Sequence, residues 1–199
     1  MDALTGTLQT HNATGSRPAD KGGMLRVILN QDHLAGVLNE ALERCRHRLL
    51  LATADVKDLH IPSASGSRQA RSILEVLGGL SGRGIEIRLL HSGVPSGPFL
   101  ARLKTRVPPT LTMRRCPRVH VKAVIADGRW MYLGSANLTG AGLGAKSPRR
   151  RNFEAGVWTD DLSLIDPVAD MLDNIWTGRH CPDCGRKDHC PLPLEEPRL

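Results

Sequence analysis

Between His120 and Gly144 the chain reads HVKAVIADGRWMYLGSANLTGAGLG, and no other stretch restricts the fold so tightly. Its first half alternates with the period of a strand, putting Val121, Ala123 and Ile125 on one face and His120 with Lys122 on the other. Asp127-Gly128 supplies a turn, and the apolar run Trp130 to Leu133 reads as the antiparallel partner. The hairpin brings Gly134 and Ser135 back beside the strand carrying His120, and the two-residue offset keeps Asn137 on the side of Ser135. A nucleophile thereby stands beside donors able to hold a phosphoryl group.

His120, Lys122, Asp127, Gly134, Ser135 and Asn137, six positions within eighteen residues, resemble the phospholipase D superfamily pattern His-x-Lys-x4-Asp followed by Gly-Ser-x-Asn. Arg151-Asn152-Phe153-Glu154 opens a further strand and sets Glu154 where that superfamily carries an acidic residue. The resemblance covers Met24 to Gly178. It implies an α/β fold, an α-β-α sandwich around a central mixed sheet, with one motif per chain. It also implies that His120 attacks phosphorus to give a phosphohistidine, while Lys122, Asn137 and Ser135 hold the nonbridging oxygens. Fixed donors of this kind are worth ~3 kcal/mol each at a developing anion. Glu154 is the candidate acceptor for the far ring nitrogen of His120, and no metal is needed for the chemistry. Asp127 belongs to the catalytic motif, but its place in the turn favours a structural role.

In this superfamily a second copy of the motif protonates the leaving oxygen and activates water. Here His11, His33, His47, His60, His91, His180 and His189 all lack a lysine two residues on. A homodimer, each chain giving one His120 to a shared site, is the simplest remedy.

The formal charge of +7 favours anionic partners, nucleic acid or acidic lipid headgroups. Aromatic residues make up only 3% of the chain, which favours contact with backbone phosphates over base stacking. Arg114, Arg115 and Arg118 cluster just before His120, and Arg118 is read as substrate-steering. The glycine-rich loop after the motif carries Lys146, Arg149, Arg150 and Arg151, candidates for flanking phosphates of a polymer. The apolar runs are too short to span a bilayer, and residues 1–23 have no signal-peptide core and read as a flexible tail. The expectation is a cytoplasmic protein with no membrane association.

Elsewhere the pattern predicts a strand Leu25–Leu29, a helix capped by Asp32, a buried strand Leu49 to Val56, a loop from Pro62 to Ser67 and a helix ending near Gly78-Gly79. A strand Gly84 to His91, a loop Ser92 to Pro98, a short helix Phe99 to Arg106 and a strand Leu111 to Arg115 beside the His120 strand follow. The last helix carries Leu162, Ile165, Val168, Ala169, Leu172 and Ile175, opened by Asp160 or Asp161, with Pro167 kinking it or marking a late start. Residues 179–199 form a Cys/His-rich tail. Cys181 and Cys184 have knuckle spacing, and with His189 (or His180) and Cys190 they suit a structural zinc. An iron-sulfur cluster would need Cys116 or Cys45 as a fourth thiolate, and a tail with free thiols is the alternative to both.

These readings converge on a metal-independent phosphodiesterase, a nuclease on DNA or RNA, working beside other proteins of a nucleic-acid-processing or defence system. A phospholipase D-type headgroup hydrolase or transferase is the alternative within enzymes, and would call for an apolar docking surface that the sequence does not display. A nucleic-acid-binding module without turnover is the alternative of another class.

Overall fold

In the computed structural model, which describes residues 23–61, 70–186 and 190, the strand-length apolar runs assemble into one mixed sheet. The elements in chain order are β1 (Leu25–Leu29), a π-helical stretch Leu34–Asn39 running into α1 (Glu40–Arg44), β2 (Arg48–Thr53), and the two-residue pair β3 (His60–Ile61) and β4 (Arg71–Ser72). Next come α2 (Ile73–Ser81), β5 (Glu86–His91), α3 (Gly97–Thr105) and β6 (Leu111–Arg115). The chain closes with β7 (Lys122–Ala126), β8 (Trp130–Gly134), β9 (Ala155–Thr159) and α4 (Leu162–Trp176). The seven-stranded sheet has the order β1-β9-β8-β7-β2-β5-β6, while β3 and β4 pair apart from it.

Two apolar layers pack on opposite faces of the sheet, as an α-β-α sandwich requires. On one face the first helical segment, α2 and α3 pack Val37, Leu38, Leu77 and Phe99 against Leu49, Leu51, Ile87 and Leu89. Burying each such side chain contributes roughly 1.5–3 kcal/mol. On the other face α4 sets Ile165, Leu172 and Trp176 on Leu50, Leu90, Ala123 and Ile125. The alternation in β7 is therefore real, with Ala123 and Ile125 toward α4 and Val124 and Ala126 toward the opposite layer.

Several boundaries differ from the sequence expectation for local physical reasons. α2 runs through Gly78-Gly79 to Ser81, because a capping box of Ser72 and Glu75 nucleates it and Leu77 and Leu80 bury on either side of the glycines. α4 starts at Leu162, capped by Asp161, and continues through Pro167, whose ring lies on the exposed face. Asp32 lies inside the first helical turn, and no side chain caps that helix at His33. Val56 lies beyond β2 and makes an isolated bridge to Leu138. β6 does not neighbour β7: it pairs with β5 at the sheet edge, and β7 inserts between β8 and β2. The predicted loop Pro62 to Ser67 lies outside the described residues.

Candidate functional site

Parallel β2 and β5 end where antiparallel β7 begins, so Thr53, His91 and the segment before Lys122 meet at one end of the sheet. A turn closed by Val119 N–H donating to the Cys116 carbonyl (2.9 Å) precedes β7. Val119 is buried in the α4 layer, which leaves His120 exposed. Lys122 follows on a buried stem, its Nζ donating to the His120 carbonyl at 2.7 Å and standing 3.3 and 3.2 Å from the two ring nitrogens. Burial holds the Lys122 ammonium below its usual range, against the opposing pull of the Glu154 carboxylate.

The partner strand delivers Ser135 through a glycine that the packing demands. A Cβ on Gly134 would lie 2.3 Å from Tyr132 Oη and 2.7 Å from both the Ala155 oxygen and the Gly156 Cα. Ser135 Oγ donates to Glu154, accepts from Ala155 N–H at 3.1 Å, and its own N–H donates to the Ala155 carbonyl at 3.0 Å. Beneath it Tyr132 Oη accepts from Ala136 N–H at 3.2 Å. Burial, with the Glu154 charge adding to it, pushes that phenol up to about 12.

Asn137 is oriented by the end of β2: its Oδ1 accepts from the N–H groups of Ala54 (3.1 Å) and Asp55 (3.2 Å). With the oxygen engaged, the amide nitrogen is the side left to donate outward. Gly142 keeps this arrangement possible, since a Cβ there would lie 2.6 Å from the Asn137 carbonyl oxygen.

Among the described residues of one chain, Glu154 makes no hydrogen bond to the His120 ring. Its carboxylate accepts from Ser135 Oγ and from Asn152 Nδ2 (2.9 Å), and its N–H donates to Asn30 Oδ1 at 3.2 Å. The ladder explains this, because Gly134 faces Gly156 across β8 and β9, so the residues next to that pair are the ones within reach. Asn30 and Asn152 are the positioning residues missed in the sequence. Asn30 at φ 47 carried the one available signal, an Asn closing a strand.

Asp127 stands at the opposite end of β7 from His120, about 20 Å away by strand rise. Its carboxylate accepts from the N–H groups of Arg46, His47 and Arg48, each at 2.8 Å, and from the Cys45 thiol at 3.6 Å. It ties the hairpin turn to the start of β2, away from the other motif residues.

Lys146, Arg149 and Arg150 are exposed on the loop after Asn137 and Arg151 is half-buried. Arg118 turns to the C-terminal segment, its Nη1 3.8 Å from Cys184 Sγ. Cys181 and Cys184 share a turn, with Cys184 N–H on the Cys181 carbonyl at 3.2 Å, and line a 210 Å³ cavity with Cys116, His180 and Met171. No three His, Cys, Asp or Glu side chains converge on a metal-sized point among the described residues. Cys190 is among those residues, while His189 lies outside them.

A family model described as cardiolipin synthase, phospholipase D-like domain, matches residues 38–176. Similar solved structures include NucT from Helicobacter pylori, 15% identical, covering 77% of this chain and 95% of that one with a TM-score of 0.57. They also include Nuc from Salmonella typhimurium, a phospholipase D family member, at 15% identity, 78% and 95% coverage and a TM-score of 0.58. Phosphatidylserine synthase from Haemophilus influenzae shares the fold over 77% of this chain and 38% of its own, at 16% identity and a TM-score of 0.52. No curated protein matches the sequence.

Proposed function

The chain belongs to the phospholipase D-like domain family, and from that premise we propose that it is a metal-independent nuclease on DNA or RNA acting through a phosphohistidine in a homodimeric site. The observation that carries the reading is the convergence of His120, Lys122, Ser135 and Asn137 at one sheet end, with donors on fixed backbone. His120 attacks phosphorus, forming a P–N bond as the P–O bond to the leaving group breaks. The leaving oxygen takes a proton from the partner subunit's His120. That ring then removes a proton from water, whose oxygen displaces the phosphohistidine and restores His120. Lys122 and Asn137 hold the nonbridging oxygens, and Glu154 positions Ser135. Preorganised donors of this kind stabilise developing charge without reorganising as it forms.

The exposed cations Lys146, Arg149 and Arg150 beside the site favour a polyanion over a single headgroup. A structural zinc on Cys181, Cys184, Cys190 and His189 belongs to the same reading, and metal content near zero in protein purified without chelator refutes that part.

The test is turnover of single-stranded DNA, duplex DNA, RNA and phosphatidylcholine in EDTA, with His120→Ala as control. Nucleic-acid cleavage lost in the variant, with acid-labile, base-stable phosphate trapped on the wild type, is the expected result. Turnover of the lipid alone overturns the substrate, and binding without turnover of any of them leaves a nucleic-acid-binding module.

A further inference from the structure

The last side chain of β5 is an imidazole with no solvent exposure. Leu51 and Leu89 pack in the layer of α2 and α3, so Thr53 and His91, each two residues on, point to that face, as does Lys122 two residues before Val124. Thr53 and His91 are partners in the register of β2 on β5. His91 therefore lies at the site end of the sheet and on the face to which Lys122 points.

The ring makes one hydrogen bond. Its Nδ1 lies 2.8 Å from the Gly93 carbonyl, which can only accept, so Nδ1 carries the proton and Nε2 the lone pair. Burial holds the imidazole below its usual range, against the Gly93 bond and with the Arg115 charge. Nε2 is buried with no polar partner among the described residues. An apolar side chain would fill the place without leaving a lone pair unmatched, so what the imidazole adds is the Nδ1 bond.

That bond holds a loop tied to both halves of the site. Toward Asn137, Gly93 N–H donates to the Ala54 carbonyl at 2.8 Å, and Ala54 N–H donates to Asn137 Oδ1 at 3.1 Å. The approach is close, since a Cβ on Gly93 would lie 3.2 Å from that Ala54 oxygen. Toward His120, the His91 carbonyl accepts from Cys116 N–H at 2.8 Å, and Ser92 Oγ donates to the Pro117 carbonyl at 3.3 Å. Cys116 and Pro117 belong to the turn that precedes β7. The segment from His91 to Gly93 is thus bonded on one side to the strand end that orients Asn137 and on the other to the turn that presents His120.

We infer that His91 is a positioning residue, whose Nδ1–H bond to Gly93 sets the spacing between Asn137 and His120 and so aligns a phosphoryl donor with the nucleophile. The inference rests on the phosphodiesterase reading above for what Asn137 and His120 act on. The link from His91 to Asn137 is a matter of geometry and has its own readout.

The test compares His91→Asn, His91→Gln and His91→Leu in the full chain. Thermal unfolding verifies folding, bis(p-nitrophenyl) phosphate reports turnover, and heteronuclear NMR reports the Asn137 side-chain amide. Asparagine places an N–H donor where Nδ1 stood, glutamine places it one carbon farther out, and leucine has none. Because misplacing a reacting group by ~1 Å costs on the order of a hundredfold, kcat should fall by about that factor in His91→Leu and His91→Gln. In His91→Asn it should return to within about fivefold of wild type, with KM within about threefold in all three. The Asn137 amide signal should move in the first two variants and hold in the third. Leucine should be the more stable replacement and asparagine the more active one, an inversion that a purely structural histidine would not produce. Folded His91→Leu with wild-type kcat and an unmoved Asn137 signal, or His91→Asn no better than His91→Leu, overturns the inference and leaves the phosphodiesterase reading standing. A wild type inert toward this diester and toward DNA, RNA and phosphatidylcholine, with the Asn137 signal still following the Nδ1 donor, overturns that reading and leaves the His91 link intact.

Discussion

Replacing Asp127 separates the two ends of the motif hairpin. Its carboxylate accepts three backbone N–H bonds at 2.8 Å, from Arg46, His47 and Arg48, at the join between α1 and β2. Hydrogen bonds to a charged group contribute ~1.5–3 kcal/mol each when buried. Because this carboxylate is half-buried and its three bonds share one acceptor group, Asp127→Ala should cost about 3 kcal/mol in total. For a domain of this size that is a fall in Tm of roughly 6–12 °C. Asp127→Asn, which retains one acceptor oxygen, should lose about half as much. Burial raises the Asp127 pKa, but the Arg48, His47 and Arg46 amides and the Cys45 thiol outweigh it, and the net shift is downward. The stability it confers is therefore complete above the unfolded aspartate value of ~3.9 and disappears as pH falls through the lower folded value. Urea denaturation between pH 3 and 7 should show the acid limb flattened in Asp127→Ala. Turnover per folded molecule at 20 °C should stay within about twofold of wild type. A hundredfold loss of turnover at unchanged stability would show that Asp127 acts in the chemistry and refute the placement.

Gly134→Ala should destabilise by ~1–3 kcal/mol, toward the upper end because two of its three closest contacts are backbone, and should lower activity by displacing Ser135; wild-type stability by urea denaturation would contradict the packing. Cys45 is buried with its thiol pushed up to about 12, by desolvation first and the Asp127 charge second. It should stay unlabelled by an aromatic disulfide reagent at pH 8 under native conditions, read by mass spectrometry of tryptic peptides. In the His120→Ala background, Arg149→Ala with Arg150→Ala should reduce the slope of log affinity against log salt on duplex DNA by ~1.8, from two phosphate contacts; an unchanged slope places both arginines off the substrate path.

The hairpin was legible because its constraints are local. A period of two fixes the faces of β7, and Asp127-Gly128 fixes the turn, where both residues take positive φ at 55° and 66°. Sheet order was not legible, because pairing β6 with β5 instead of β7 depends on which edge remains free after β2 and β5 have paired, a non-local choice. α2 overrode Gly78-Gly79 because tertiary burial of Leu77 and Leu80 exceeds the ~1 kcal/mol each that glycine costs a helix. The partners of Glu154 were hidden for the same reason as the sheet order, since they follow from the register of β8 on β9.

A motif contiguous in sequence is thus split in space by the strand that carries it. His120 and Lys122 lie at one end of β7 and Asp127 at the other, so one short segment both presents the reactive side chains and anchors the strand presenting them. The exposed stripe on β1 follows from similar logic. In Leu25–Leu29 the alternation looks like any half-buried strand, with Ile28 toward the core and Arg26 held by Glu40. Only the position of β1 at the sheet edge, past the reach of α4, turns its other face into a surface. A sequence records which residues avoid water, and the topology decides which of them other elements cover; among the described residues, Leu25, Val27 and Leu29 of β1 stay exposed.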